Sequence, residues 1–313
     1  MSPAIPLVDL RPLAEGEAGQ ARVAAEIGRA CRDIGFFAVT RAPVPAGLGE
    51  AVFAAAAAFF ALPAEQKAKV SIRRSRHNRG YVGLAVEALD PARGPDNKEA
   101  FNIGLDLAPD DPEVLAGKPF RGPNLWPDLP GFRDTLLAYY AAMLDLGVTL
   151  HRAIARDLGL APDAFDDKFR RPLATLRLLH YPAAPAAGGR PLGAGTHTDY
   201  GNLTLLATDG VGGLEVQARD GAWLAVPPMP GALVCNVGDC LARWTNDVYA
   251  STPHRVVSPT GRERSSVAFF LDADPDAVVA ALPGCVAAGC APLYTPVTVA
   301  DHLRSRLDST YGP

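Results

Sequence analysis

Between residues 174 and 271 the hydrophobic period of the chain is two, and the alternating runs are short. Residues 174–181, 197–207, 214–216, 223–226, 232–237, 254–257 and 266–271 each read as a strand, bounded by Gly- and Pro-containing turns. The Asp220-Gly221 turn joins two of these runs as a hairpin. Short, regularly spaced strands of this kind predict a β-sandwich or jelly roll. The first half has mostly the helical period. It predicts helices over about 18–34, 45–61 and 131–158, with strands near 5–10, 36–39 and 96–104, and a loop over 71–84 that leads into a strand at about 79–83. A last helix is expected over about 299–307. The fold class is therefore α+β. A largely helical region, residues 1–170, wraps around a jelly-roll domain, residues 171–313, that ends in a helix.

Within the β region, His197 and Asp199 stand two residues apart in a β-prone stretch. On an extended strand such residues share a face. One imidazole and one carboxylate can then meet at one point, which is two thirds of the 2-His-1-carboxylate facial triad that holds Fe(II) and leaves positions open. The best candidate for the missing ligand is His254, on another predicted strand. His77, His151, His180 and His302 have no matching partners and are expected to be structural or exposed. Asn236 and Asp239 are expected to fix a turn through side-chain-to-backbone hydrogen bonds.

Composition narrows the alternatives. The formal net charge is −4 and no block of like charge stands out, so a basic surface for nucleic acid is not indicated. No apolar run is long enough to cross a bilayer. The N-terminus lacks the basic start and apolar core of a signal peptide, so the expectation is a cytoplasmic protein without a membrane partner. The five cysteines form no C-x-x-C pair. They read as free thiols in the core, not as a disulfide framework or a structural zinc site.

The order His197-x-Asp199, His254, Arg264-x-Ser266 resembles the isopenicillin N synthase-like branch of the Fe(II)/2-oxoglutarate oxygenases. Asp33-Ile34-Gly35-Phe36-Phe37, Gly80-Tyr81, Asp96-Asn97-Lys98-Glu99-Ala100-Phe101, Tyr181-Pro182 and Asn236-Val237-Gly238-Asp239 extend the likeness over nearly the whole chain. The resemblance implies a double-stranded β-helix with His197, Asp199 and His254 as iron ligands. It also implies that Arg264 and Ser266 bind the distal carboxylate of 2-oxoglutarate, with Tyr181 adding a hydroxyl. The chemistry agrees. Three ligands on one face leave room for a bidentate 2-oxo acid and for O2. A guanidinium matches a carboxylate with two parallel hydrogen bonds. Hydroxylation of a small molecule, with release of succinate and CO2, is the default outcome.

Alternation in 176–181 puts Arg177 on the same face as Leu179 and Tyr181. A buried cation needs a partner, which either an internal carboxylate such as Glu99 or an anionic substrate would supply. Tyr81, Phe101 and Phe269 are candidates for an apolar pocket wall. Other readings remain open on the sequence. One is an oxidase of the same fold whose Arg-x-Ser pair grips the substrate's own carboxylate. Another is an enzyme that breaks 2-oxoglutarate down to ethylene. A third is a non-catalytic binding protein.

Overall fold

Three long helices form where the apolar spacing predicts them: α1 (Glu17–Asp33), α2 (Leu48–Phe60) and α5 (Phe132–Asp157). Each buries one stripe. On α5 that stripe includes Phe132, Leu136, Tyr139, Met143, Leu150 and Ile154. The chain is described here from a computed structural model covering residues 5–90, 92, 94–183, 192–258 and 261–311. The loop expected over 182–193 lies largely outside these described residues. The other helices are α3 (Ala64–Lys69), α4 (Pro112–Leu115), α6 (Asp239–Trp244) and α7 (Val299–Tyr311).

The strands of the first half are β1 (Leu7–Asp9), β2 (Phe36–Thr40), β3 (Gly80–Val82) and β4 (Glu99–Gly104). The second half adds β5 (Thr175–Tyr181), β6 (Leu192–His197), β7 (Leu203–Thr208), β8 (Leu214–Gln217), β9 (Trp223–Ala225), β10 (Leu233–Val237), β11 (His254–Val257) and β12 (Arg264–Leu271). A small pair, β13 (Val278–Val279) and β14 (Val297–Thr298), completes the set. The major sheet has eight strands in the order β1-β2-β10-β7-β12-β5-β4-β3. A four-stranded sheet, β6-β11-β8-β9, completes the jelly roll. Strands from the helical half thus form both ends of the major sheet.

Alternation sorts the side chains of this sheet into two environments. Phe101, Ile103, Leu176, Leu178, Leu203, Leu205, Val267 and Phe269 share one core with the buried faces of α1, α2 and α5. The opposite parity meets the four-stranded sheet, where Ala100, Leu179, Tyr181 and Ala268 pack with Ala194 and Val256. Helix α1 approaches α5 closely at Gly28. A Cβ there would sit 1.9 Å from the Asp157 carboxyl carbon, a carboxylate that accepts from Arg32 at 2.6 Å and from the Tyr249 hydroxyl at 2.6 Å.

One expected element is divided. The single strand predicted over 197–207 is two strands, β6 ending at His197 and β7 starting at Leu203. They belong to different sheets, and residues 198–202 cross between them. His197 and Asp199 are therefore not same-face neighbours on one strand. The crossing is tight at Gly201, where a Cβ would lie 1.9 Å from Asp272 Oδ1.

Glu99 joins the helical side to the sheet. Its carboxylate accepts from Lys67 Nζ at 2.8 Å and the Tyr81 hydroxyl at 2.6 Å, and pairs with His180 Nδ1 at 2.9 Å. Burial alone would raise its pKa, but these three partners reverse the effect and hold it at about 2. The folded pKa lies below the ordinary 4.5. The stabilisation is thus present above about pH 4.5 and is lost as pH falls towards 2, to the extent of about 3 kcal/mol. Glu99→Gln should cost about 3 kcal/mol in urea unfolding at pH 7, because it leaves the Lys67 ammonium buried without its charge partner. The gap to the unmutated protein should shrink at pH 3. A gap that persists unchanged at low pH would show that the carboxylate charge is not the source.

Candidate active site

Strand register brings the two histidines together. β11 pairs antiparallel with β6 so that His254 and His197 are direct cross-strand partners, and their ring centroids are 4.3 Å apart. Asp199 reaches the same point from the crossing segment. Its Oδ1 lies 3.8 Å from His197 Nε2 and 3.6 Å from His254 Nε2. One donor atom from each of the three residues falls within 4.8 Å of the others.

The remaining atoms of these side chains are engaged so as to point those donors inward. His197 Nδ1 lies 2.7 Å from the Gly195 carbonyl oxygen, and His254 Nδ1 lies 3.2 Å from that of Thr252. A proton on each Nδ1, donated to the carbonyl, leaves each Nε2 lone pair free for a cation. The Phe36 ring packs edge-on against His254 at 5.2 Å. Asp199 Oδ2 accepts from Thr204 Oγ1 at 2.5 Å and from Asn236 Nδ2 at 2.7 Å. Burial, with repulsion from His254, pushes His197 down to about 3, so its imidazole is neutral at pH 7. Burial opposes ionisation of Asp199, but the two imidazoles and the two hydrogen bonds outweigh it and hold its pKa below the ordinary carboxylate value.

The crossing segment is fixed from behind by the first turn of α6. The Asp239 amide donates to the Asp199 carbonyl at 2.7 Å, and the Cys240 amide to that of Gly201 at 3.0 Å. The Asp239 side chain accepts from Ser251 Oγ at 2.6 Å and Thr198 Oγ1 at 3.1 Å. Asn236 and Asp239 thus act on other side chains around the triad, and the expected side-chain-to-backbone turn is not what they form. The helix α6 itself was not expected. Its six residues are too few to show a helical period.

A cavity of about 190 Å³ opens from the triad between the two sheets. Arg264, Ser266 and Tyr181 line it. Arg264 and Tyr181 are cross-strand partners on β12 and β5. The guanidinium lies over the Tyr181 ring at 4.7 Å and donates to Ser266 Oγ at 3.2 Å. Arg264 is 1 % exposed, and among the described residues it has no carboxylate partner. A buried cation so placed demands an anion.

Comparisons with known proteins agree with this reading. Residues 5–129 match the family described as "non-haem dioxygenase in morphine synthesis N-terminal", and residues 172–273 match the "2OG-Fe(II) oxygenase superfamily". The chain is 38% identical, over 98% of its length and 90% of the relative's, to the 2-oxoglutarate-Fe(II) type oxidoreductase hxnY of Emericella nidulans. The chain belongs to the isopenicillin N synthase-like Fe(II)/2-oxoglutarate dioxygenases. Clavatol oxidase claD of Penicillium crustosum is 37% identical over 98% of the chain and 97% of its own. A full-length Neurospora crassa protein, solved in complex with alpha-KG and thymine, superposes with a TM-score of 0.85 at 33% identity, covering 97% of this chain and 96% of its own.

This dioxygenase uses Fe(II), 2-oxoglutarate and O2, and its remaining cavity wall differs in part from the sequence expectation. Arg177 does face the cavity, but its carboxylate partner is Glu87, which accepts from Arg177 Nη2. Glu99 cannot serve, because it pairs in register with His180 on the helix-facing side of the sheet. Tyr81, Phe101 and Phe269 are not among the lining residues. Phe101 packs at tilted and edge-on angles against Phe59 and Phe132, Phe269 packs on Tyr140, and the Tyr81 hydroxyl is engaged by Glu99. Parity explains the correction. Arg264 and Ser266 face the cavity, so Ala268 and Phe270 do as well, and Phe269 must face away. The apolar wall is formed by Phe270, Leu179, Leu206 and Leu89, with Leu303 and Leu307 of α7.

Proposed function

We propose that this dioxygenase hydroxylates a small organic molecule held in the cavity between its sheets. His197, Asp199 and His254 are proposed as the iron ligands. Arg264 and Ser266 are the seat of the distal carboxylate of 2-oxoglutarate, with Tyr181 beneath the guanidinium. The observation that carries this reading is the buried Arg264, without a carboxylate partner among the described residues, in the same cavity as the triad. Two imidazoles and one carboxylate suit a divalent first-row metal and leave other positions on it open. When bound, that iron supplies the oxidising power that couples O2 to loss of CO2 from 2-oxoglutarate and to attack on a C–H bond.

The chain's own residues do the rest. The Gly195 and Thr252 carbonyls orient the imidazoles. Thr204 and Asn236 occupy one carboxylate oxygen of Asp199, so that only the other faces the histidines. Arg264 selects a dicarboxylic 2-oxo acid by charge and fork geometry. Phe270, Leu206 and the α7 leucines exclude water from the substrate side. The small-molecule character of the substrate is supported by the Neurospora crassa relative, whose structure holds thymine. Among the described residues no helix is long and apolar enough to cross a membrane. The five free thiols suit a reducing compartment, and we place the enzyme in the cytoplasm on that ground.

Loss of the hydrogen bond that orients Asp199 has a defined consequence. Asn236→Ala should weaken Fe(II) binding by about 10–100-fold, the usual effect of removing an outer partner of a metal ligand. An anaerobic titration checks it, and an unaltered affinity would remove Asn236 from this role. The function itself is tested with labelled 2-oxoglutarate. Iron-loaded enzyme should convert the label to succinate with matching O2 uptake. O2 uptake with no labelled succinate would contradict it.

A further inference from the structure

One cavity residue has no role in holding iron or 2-oxoglutarate. Asn102 lies on β4, beside Arg177 of β5 in the strand register. It lines the cavity, and its side chain is fully buried. Neither its Nδ2 nor its Oδ1 has a hydrogen-bond partner among the described residues. Buried polar atoms are nearly always paired, with protein, ordered water or ligand, so a carboxamide with both ends free marks a place where something else binds.

The chemistry of the side chain defines what that is. A carboxamide presents a donor and an acceptor side by side. Its complement is an acceptor beside a donor, as in the C(=O)–N–H edge of a lactam, an imide or a related flat heterocycle. A carboxylate offers acceptors only. It would satisfy Nδ2 and set its charge against Oδ1. The same register row carries Ala268 on β12 and Leu206 on β7, and Phe270 and Leu179 stand in the neighbouring rows of the same face. The row therefore runs from Asn102 past Arg177 to an apolar floor. Arg177, for which the sequence left either an internal carboxylate or an anionic substrate as partner, pairs with the internal carboxylate of Glu87.

We infer that Asn102 is a specificity-determining residue that reads the C(=O)–N–H edge of a small, neutral, flat substrate through paired hydrogen bonds. This rests on the cavity being the substrate chamber of the proposed oxygenase. Before substrate enters, water satisfies the carboxamide. A ligand that displaces the water without replacing both hydrogen bonds leaves buried groups unpaired and is rejected.

The test is a binding measurement on anaerobic, Fe(II)- and 2-oxoglutarate-loaded enzyme. The probes are 2-pyridone, uracil and glutarimide, each with its fully N-methylated counterpart, and benzoate as an anionic control. The variants are Asn102→Leu, which keeps volume and removes both polar atoms, and Asn102→Asp, which keeps shape and removes the donor. At least one parent probe should bind, and N-methylation should weaken it at least tenfold. In Asn102→Leu the ratio of parent to methylated probe should fall to near one, while 2-oxoglutarate affinity stays that of the unmutated enzyme. Asn102→Asp should also weaken the parent probe. The inference is overturned if benzoate binds better than every parent probe, if methylation makes no difference, if Asn102→Leu leaves the ratio intact, or if no parent probe binds at 10-millimolar order while 2-oxoglutarate does. Failure of 2-oxoglutarate itself to bind the unmutated iron-loaded enzyme would instead overturn the proposed function. The two failures are thereby distinguishable.

Discussion

His197→Ala and His254→Ala are each expected to lower Fe(II) affinity by more than about 100-fold, beyond the range seen when only an outer partner of a ligand is lost. The reason is geometric. The two imidazoles are held as cross-strand partners, and Asp199 Oδ1 sits between 3.6 and 3.8 Å from their Nε2 atoms. Either deletion leaves two donors, and no described His, Cys, Asp or Glu outside the triad groups with them. The same substitution at His302 is the control. Its Nε2 meets the Tyr200 carbonyl at 3.1 Å, and it offers nothing to the triad, so iron affinity should be retained. Anaerobic titration of each variant with Fe(II) reads the result. Undiminished affinity in both His197→Ala and His254→Ala would remove them as ligands.

Arg264→Ala should leave iron binding in place and cripple binding of 2-oxoglutarate. The C5 carboxylate is the only charged end of that molecule not needed at the metal. In the cavity it would be met by a guanidinium that is 1 % exposed and has no other carboxylate among the described residues. Truncating one partner of a buried, hydrogen-bonded charge pair costs about 2–5 kcal/mol. That corresponds to roughly 30- to several-thousand-fold weaker binding. A 2-oxo acid with an uncharged side chain should lose far less in the variant, because it leaves no carboxylate unpaired. Calorimetry on the iron-loaded protein separates the two ligands. Equal losses for both would show that Arg264 acts by packing on Tyr181 and not by charge.

Much of this was legible in the sequence because strand alternation is a strict rule. The parity of Arg177, Leu179 and Tyr181 placed all three on the cavity face, and that of Arg264 and Ser266 did the same for β12. Applied one step further along β12, the same rule selects Phe270 and rejects Phe269. What was not legible lies where the chain leaves regular structure. Residues 197–207 carry a continuous β-prone pattern, yet the chain changes sheets after His197. Periodicity within a segment says nothing about which sheet a strand joins. The pairing of Asn236 and Thr204 with Asp199 is likewise a tertiary fact, since the three residues stand on different segments. The same holds for Arg177, which has Glu87 for a partner instead of Glu99. Which carboxylate faces it depends on the parity of β4 relative to β5 and on the fold of the segment before β4. The leucines of α7 that close the cavity belong to a helix whose existence, but not its docking, follows from the sequence.

The claim that everything else depends on is the place of the metal. It is tested most directly by an anaerobic crystal structure of the Fe(II)- and 2-oxoglutarate-loaded protein, with anomalous data collected at the iron edge. The expected result is one anomalous peak bonded to His197 Nε2, Asp199 Oδ1 and His254 Nε2, with the 2-oxoglutarate C5 carboxylate on Arg264. A peak at any other site, or none there in crystals shown to contain one iron per chain, would contradict it.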